Sequence, residues 1–133
     1  MSKVEKSDAQ WRAELTPEQY EVTRNHGTER PYSGALLNEA RKGVYHCVCC
    51  EQPLFYSDQK FESHCGWPSF DACSDDAIKY VKDSSHGMIR TEILCSQCDA
   101  HLGHIFDDGP TNTGKRYCVN SVSLTFRSME NTD

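Results

Sequence analysis

The sequence has no apolar run that approaches the roughly 20 residues of a membrane-spanning helix. Its amino end, residues 1–6, is mostly polar and lacks the apolar stretch of a secretory signal peptide. We therefore expect a cytoplasmic protein that works in a reducing compartment. Thiols in such a compartment bind metals or react, and structural disulfides are rare.

Positive charge is also scarce. The chain has 14 Lys and Arg against 20 Asp and Glu, which gives a formal net charge of -6. A protein that binds nucleic acid in general needs a clustered basic surface to neutralise phosphates, and binding to an anionic membrane has the same requirement. We therefore expect neither nucleic acid nor membrane among the partners.

Hydrophobic residues make up only 37% of the 133 residues. A chain of this length forms one domain with a modest core, which a crosslink would help to stabilise. Internal repeats and segments of low complexity are absent from the sequence. We expect a single domain over residues 8–127, with flexible ends at 1–7 and 128–133.

The pattern of the chain predicts a mainly β protein. Two capping boxes, at Ser7 and Thr16 with Gln three residues later, predict short helices over 8–14 and 17–25. From Gly43 onward, short β-branched and aromatic runs alternate with Gly, Pro, Asp and Ser, which indicates antiparallel sheets with the helices at their periphery. The predicted strands cover 44–47, 54–56, 78–82, 88–94, 101–106 and 116–126.

Cysteine is abundant, and four of the eight cysteines form two Cys-x-x-Cys clips. Cys47 and Cys50 form the first clip, Cys95 and Cys98 form the second, and 44 residues separate them. Two such clips can close one tetrahedral, coordinatively complete Zn²⁺ site. The alternatives are two disulfides or four unreactive thiols, and a reducing compartment favours one structural zinc ion.

Cys118 has the most informative surroundings of the remaining thiols. Side chains alternate along a strand, so Arg116, Cys118 and Asn120 share one face. A nearby cation favours the thiolate, which is the nucleophilic form of cysteine. The alternative is that this face continues into the core and Cys118 is buried and inert.

Two further motifs contain groups that could assist a nucleophile. His101 and His104 directly follow the second clip, and Gly103 could mark a bulge that turns both imidazoles into one pocket. Cys65 lies in a Gly- and Pro-containing loop next to Trp67, whose flat ring packs well against sulfur and methyl groups. Each motif alone is also compatible with a surface or core role.

Together these motifs resemble one family, the peptide methionine-R-sulfoxide reductases of the B type. The resemblance extends over roughly residues 15–126, and its blocks occur in the family's order. These blocks are the two clips, Cys65-Gly66-Trp67-Pro68-Ser69-Phe70, Asp99-Ala100-His101-Leu102-Gly103-His104 and Arg116-Tyr117-Cys118-Val119-Asn120-Ser121.

The resemblance implies a role for each matching position. Cys118 corresponds to the nucleophile, which becomes a sulfenic acid, and Cys65 to the resolving cysteine that forms a disulfide with it. His101, His104 and Asn120 correspond to residues that handle the sulfoxide oxygen, and Trp67 to the ring that receives the methyl group, with Arg116 beside the substrate. The four clip cysteines correspond to structural zinc ligands. Thioredoxin is the expected reductant and a monomer the expected state, and the activity would repair oxidised proteins under oxidative stress.

Some features of the sequence depart from the family pattern or leave alternatives open. Glu51 stands where the family often has Gly, and Cys49 and Cys73 have no family role. A non-catalytic zinc-knuckle module that binds another protein is the main alternative function. A zinc hydrolase or deaminase is disfavoured because the sequence has no His-x-Glu motif and all four ligands are thiols.

Overall fold

The computed structural model describes residues 7–25, 27–30, 32–37, 39, 41–61, 66–74, 76–83, 90–109 and 111–128. The described residues form two helices, α1 (Asp8–Glu14) and α2 (Pro17–Arg24), and nine strands. The strands are β1 (Gly43–Cys47), β2 (Pro53–Tyr56), β3 (Lys60–Phe61), β4 (Ser69–Phe70), β5 (Ile78–Asp83), β6 (Arg90–Cys95), β7 (His101–Phe106), β8 (Arg116–Val119) and β9 (Leu124–Ser128). Two 3₁₀ helices, Ser57–Gln59 and Ser121–Ser123, lie between strands.

Both helices begin at the predicted capping boxes. The Gln10 main-chain N–H donates to Ser7 Oγ at 3.2 Å, and Ser7 N–H donates back to the Gln10 side chain at 2.8 Å. The same reciprocal pair joins Thr16 and Gln19, at 3.1 and 2.9 Å. Each box satisfies two main-chain donors that the first helical turn leaves without partners. Neither described helix has the length and apolar character needed to cross a membrane.

All strand pairs are antiparallel, and they form two sheets. The smaller sheet has the order β2-β1-β9 and the larger one the order β3-β4-β8-β7-β6-β5. The prediction of a mainly β fold with helices at the amino end is therefore confirmed. The predicted flexible ends fall almost entirely outside the described residues and stay a prediction.

The single strand predicted over 116–126 is wrong. The structure ends β8 at Val119, inserts the 3₁₀ turn Ser121–Ser123, and continues as β9 in the other sheet. Ser123 N–H closes this turn on the Asn120 carbonyl at 3.0 Å, and its buried hydroxyl donates to the His101 carbonyl at 3.0 Å. The chain must turn here because its two halves pair with different sheets, which the regular polar and apolar alternation of the sequence does not reveal. The strand predicted over 88–94 is described from Arg90 to Cys95, and residues 88 and 89 lie outside the described part.

Aromatic rings form the core between the two sheets. Phe55 and Phe70 stack with ring centroids 4.3 Å apart, and Tyr45 meets Phe70 edge-on at 5.1 Å. All three side chains are fully buried. Burial of an aromatic side chain removes a large apolar area from water, so these rings contribute much of the stability of a chain with few hydrophobic residues. They also anchor β4 of the larger sheet to β1 and β2 of the smaller one.

Strand β7 lies unusually close to β8. Gly103 pairs with Val119, and a Cβ atom at Gly103 would collide with the carbonyl oxygen of Cys118. On its other side, the pairing of β7 with β6 shifts register between Ile93 and Leu94, which is the bulge expected near this glycine. The absence of a side chain at Gly103 therefore allows β7 to approach the main chain of Cys118.

We predict that Gly103→Ala lowers the free energy of unfolding by about 3 kcal/mol, because the methyl group must push β7 away from β8. The matched control is Gly114→Ala, which has a positive φ of 70° and open space around its Cβ position. That control should lose only about 1 kcal/mol. Urea denaturation of both variants measures the difference, and equal losses would contradict the steric argument.

Candidate active site

The two Cys-x-x-Cys clips fold as the same turn. Glu51 N–H donates to the Cys47 carbonyl at 2.8 Å, and Asp99 N–H donates to the Cys95 carbonyl at 2.8 Å. Glu51 and Asp99 both take left-handed φ values, 68° and 64°. Glycine adopts this conformation at little cost, which gives a physical reason for the glycine that the family often has at the position of Glu51.

The paired turns bring the four clip sulfurs to one point. The Sγ atoms of Cys47, Cys50, Cys95 and Cys98 all lie within 4.8 Å of one another, and three of these residues are buried. The Cys47 and Cys98 sulfurs are 3.6 Å apart, and those of Cys50 and Cys95 are 3.5 Å apart. A cluster of this composition can hold a metal ion. Among the described residues no other cluster of this kind is found.

The thiols in this cluster perturb one another. Hydrogen bonding to neighbouring thiols, with Cys49 the largest contributor, raises the pKa of Cys47, whereas the hydrogen bond with Cys47 lowers the pKa of Cys50. Four thiolates this close would repel one another strongly. A bound cation relieves that repulsion, which is why the donor set fits a metal ion better than four independent thiols.

The four-cysteine cluster also positions the strand that carries the histidines. Cys95 ends β6, its N–H donates to the Ala100 carbonyl at 2.9 Å, and β7 begins at His101. Helix α2 closes the other side, where the Arg24 guanidinium donates to the Cys98 carbonyl at 2.8 Å. The clip and the first histidine are therefore parts of one rigid corner.

A cleft of about 280 Å³ lies on the face of the larger sheet where β7 and β8 meet. It is lined by Thr28, Trp67, Arg90, Gly103, His104, Phe106, Arg116, Cys118 and Asn120. Six of these residues belong to the motifs singled out in the sequence, Gly103 among them. The predicted shared face of Arg116, Cys118 and Asn120 is confirmed, because all three reach this cleft.

Cys118 lies in β8 between two side chains on neighbouring strands. It pairs across the sheet with His104 of β7 and with Ser69 of β4. Residues directly opposite each other in antiparallel strands have Cβ atoms about 4.5 to 5.5 Å apart on the same face of the sheet. Cys118 is half-buried and lines the cleft. The structure therefore does not bury Cys118 in the core.

The two predicted histidines are neighbours but differ in exposure. Their rings lie 5.8 Å apart and nearly perpendicular, and only His104 lines the cleft. His101 is 2% exposed, with Nδ1 3.3 Å from the Val22 carbonyl oxygen and Nε2 3.4 Å from the Glu92 carboxylate. The geometry thus places His104 in direct reach of a ligand and His101 behind it.

Arg116 is held by an acidic partner that the sequence reasoning missed. Its Nε and Nη2 atoms donate to the two Asp108 carboxylate oxygens at 2.8 and 3.0 Å, and the guanidinium stacks over Phe106 at 4.5 Å. The Arg116 hydrogen bond lowers the pKa of Asp108, so the pair is charged at neutral pH. This pairing weakens the field that Arg116 exerts on Cys118 and makes Arg116 a fixed wall of the cleft.

Trp67 and Asn120 are fixed by hydrogen bonds. The Trp67 indole N–H donates to the main-chain carbonyl of Glu29 at 3.0 Å, which leaves the ring half-buried along the cleft. The Asn120 side chain donates to the Leu102 carbonyl at 3.1 Å and accepts from Glu29 N–H at 3.0 Å. Neither side chain can turn without breaking these bonds.

Of the remaining cysteines, Cys49 and Cys73 do not line the cleft. Cys65 falls outside the described residues, and Gly66, which follows it, accepts a hydrogen bond from Tyr32 N–H at 2.7 Å. Cys49 is buried next to the four-cysteine cluster. Cys73 contacts the hydroxyl of Tyr117 at 3.7 Å, and Tyr117 alternates with Cys118 on β8 and so points to the opposite face.

A similar fold is found in a protein whose structure has been solved. The chain resembles the Mis18 "Yippee-like" domain with a TM-score of 0.55 and 16% sequence identity, over 68% of this chain and 100% of that one. A similarity at this identity supports the fold alone. Together with the described residues, it defines a β-sheet protein that has a cluster of four cysteines and a cleft lined by a further thiol.

Sequence comparison gives the family. The SelR domain model matches residues 15–128. The chain is 60% identical to a Hahella chejuensis protein over 98% of this chain and 94% of that one, and 59% identical to a Pseudomonas putida strain W619 protein over 98% of both. Both relatives are named peptide methionine sulfoxide reductase MsrB. The chain therefore belongs to the SelR-domain family of MsrB reductases, and it is an oxidoreductase.

The four-cysteine cluster leads to a testable prediction about stability. We expect the purified protein to contain one equivalent of metal and Cys98→Ser to lose both the metal and several kcal/mol of unfolding free energy, on the order of the contribution of a structural metal site. The matched control is Cys49→Ser, which alters a thiol of the same knuckle that lies outside the cluster of four. Elemental analysis and thermal unfolding measure both effects. A stable Cys98→Ser protein with full metal content would refute the assignment.

Proposed function

We propose that this protein reduces methionine-R-sulfoxide in oxidised proteins to methionine, with Cys118 as the nucleophile. Membership of the MsrB family makes a sulfoxide the substrate class, and protein repair follows from it. The observation that carries the residue assignment is the pairing of Cys118 with His104 in the cleft. Among the described residues, Cys118 is the one thiol that lines this cleft. The alternative of a non-catalytic zinc-knuckle interaction module is not favoured by this membership.

The chemistry needs a thiolate and an acid in one pocket. The sulfur of a sulfoxide is a poor electrophile because cleavage of its S–O bond would release a strongly basic oxygen. In the proposed step, Cys118 attacks while an imidazole protonates that oxygen. The S–O bond of the substrate breaks and the protonated oxygen is transferred to the Cys118 sulfur, so that methionine leaves and Cys118 is oxidised to a sulfenic acid. His104, which lines the cleft, would act directly. His101 would orient His104 and support its proton transfer from behind.

Substrate recognition follows from the fixed walls of the cleft. The Trp67 ring would receive the methyl group of the sulfoxide, because sulfur and methyl groups pack favourably on aromatic faces. Asn120 and His104 would surround the oxygen, and Arg116 would border the peptide next to it. With the methyl group and the oxygen both fixed, only one epimer would direct its sulfur toward Cys118, and membership of the MsrB family makes this the R epimer.

The catalytic cycle needs a second thiol and a reductant. Cys65 would attack the Cys118 sulfenic acid, release water and form a Cys65–Cys118 disulfide. Thioredoxin would then reduce this disulfide by thiol–disulfide exchange, which requires the reducing conditions of the cytoplasm. Cys65 precedes Gly66 and Trp67, so its position in the chain is next to a wall of the cleft. We further propose that the protein acts as a monomer.

A structural zinc ion is the proposed occupant of the four-cysteine cluster. Zn–S bonds of about 2.3 Å in a tetrahedron require sulfurs about 3.8 Å apart. The 3.6 Å and 3.5 Å separations of the two closest sulfur pairs are close to this requirement. Cys47, Cys50, Cys95 and Cys98 would hold the ion in a closed site, where it stabilises the corner between β6 and β7 and takes no part in the reaction.

We expect Cys118→Ser to lose more than 99% of sulfoxide reductase activity, because an alcohol is a far weaker nucleophile than a thiolate. Its fold and metal content should be those of the wild type. Cys73→Ser is the matched control, since Cys73 does not line the cleft, and it should keep full activity. The assay follows methionine formation from an R-sulfoxide peptide with dithiothreitol, and undiminished turnover by Cys118→Ser would rule out this nucleophile.

For Cys65→Ser we predict one rapid turnover and then arrest when thioredoxin is the reductant. Removal of the resolving thiol leaves the first step intact and prevents formation of the disulfide that thioredoxin reduces. Rapid-quench analysis with one equivalent of substrate separates the first turnover from the cycle. Sustained thioredoxin-dependent cycling in this variant would transfer the resolving role to Cys49 or Cys73.

A further inference from the structure

One residue connects two walls of the cleft that come from distant parts of the chain. Trp67 donates its indole N–H to the carbonyl of Glu29 at 3.0 Å, and Asn120 accepts the N–H of the same residue at 3.0 Å. Both side chains line the cleft. The main-chain unit of Glu29 therefore sets the spacing between an aromatic wall and an amide wall.

The side chain of Glu29 is what anchors this unit. It is 3% exposed, and its Oε1 atom accepts the N–H of Val122 at 3.0 Å. Val122 lies in the 3₁₀ turn Ser121–Ser123, three residues after Val119, which ends β8. The carboxylate thus ties the segment around Glu29 to the turn that directly follows the Cys118 strand.

Local packing leaves Glu29 little freedom. A Cβ atom at Gly34 would collide with Ser121 Oγ and with Glu29 Oε2, so the following segment folds closely over the carboxylate. The described residues 27–30 and 32–37 belong to no helix or strand. Regular secondary structure therefore does not hold this segment in place. Individual contacts do so, among them those of Glu29 and the hydrogen bond from Leu36 N–H to Ser121 Oγ at 3.3 Å.

Burial of this carboxylate has a cost in free energy. Desolvation raises the pKa of Glu29, and the main-chain hydrogen bonds from Ser121 and Val122 oppose the rise. An apolar side chain would avoid the cost but could not accept the Val122 N–H. A buried polar group of this kind specifies one geometry, because every alternative arrangement leaves it without its hydrogen bond.

We infer that Glu29 is a positioning residue of the sulfoxide site, whose carboxylate holds the main-chain unit that fixes Trp67 relative to Asn120. The inference rests on the proposed function, because it assigns the two walls to the methyl group and to the oxygen of the substrate. Glu29 itself touches neither. Its length from main chain to carboxylate, rather than its charge, sets the geometry.

Three variants separate geometry from charge. Glu29→Gln keeps the length and the Oε1 acceptor, Glu29→Asp keeps the charge but is one methylene shorter, and Glu29→Ala keeps neither. We expect kcat/KM for an R-sulfoxide peptide to fall about 10- to 100-fold in the Asp and Ala variants, the range that misplacement of a substrate-binding group produces. The Gln variant should stay within about fivefold of the wild type, since a neutral hydrogen bond replaces a charged one.

A readout independent of turnover is the indole N–H resonance of Trp67 in a proton–nitrogen NMR spectrum. The chain has two tryptophans, and Trp11→Phe assigns the pair. The Trp67 signal should shift in the Asp and Ala variants and stay in place in Glu29→Gln. Glu39→Ala is the matched control, because Glu39 pairs with Arg41 away from the cleft residues, and it should change neither signal nor rate.

The outcomes decide the inference in each case. If Glu29→Ala does not fold, the Asp and Gln variants carry the test. Equal losses in Gln and Asp, or an unchanged Trp67 signal and unchanged kcat/KM in Asp, would overturn the positioning role. A wild-type protein that reduces no sulfoxide would instead count against the proposed function, and the NMR comparison would still decide what Glu29 positions.

Discussion

The convergence of four sulfur atoms from two distant parts of the chain is the constraint on which the rest of the structure depends. The two clips close into identical turns, and their sulfurs meet within 4.8 Å at the corner where β1 and β6 end. With only 37% hydrophobic residues, the chain has a modest core, and a metal ion held by the four sulfurs would add a crosslink to it. Every later element of the site is placed relative to this corner.

Main-chain contacts connect that corner to the cleft. Strand β7 starts directly after the second clip, and Gly103 lets it approach the carbonyl of Cys118 closely enough to align His104 with the thiol. The Asp108 carboxylate then fixes Arg116, and Glu29 fixes Trp67 and Asn120. A small protein thereby obtains a rigid site from paired strands and hydrogen bonds, although the segment that carries Glu29 has no regular secondary structure.

Local patterns predicted what depends on local geometry. The clips, both helix caps and the shared face of Arg116, Cys118 and Asn120 follow from spacing alone. The turn after Val119 was missed because alternation cannot say which sheet a strand joins, and the burial of His101 depends on Val22 and Glu92 from other elements. Asp108 follows the histidine motif by four residues, a signal that the pattern of the chain contains and the sequence prediction did not use. Glu29 lies in a polar stretch, which predicts an exposed side chain, and only the tertiary structure buries it.

We propose that the cleft holds a sulfoxide with its methyl group on Trp67 and its oxygen beside His104, so that Cys118 attacks one epimer. The rate at which the wild-type protein consumes each separated methionine sulfoxide epimer of one peptide, with dithiothreitol as reductant, tests this arrangement. We expect rapid loss of the R epimer and no measurable loss of the S epimer. Equal rates for both epimers, or a preference for S, would contradict it.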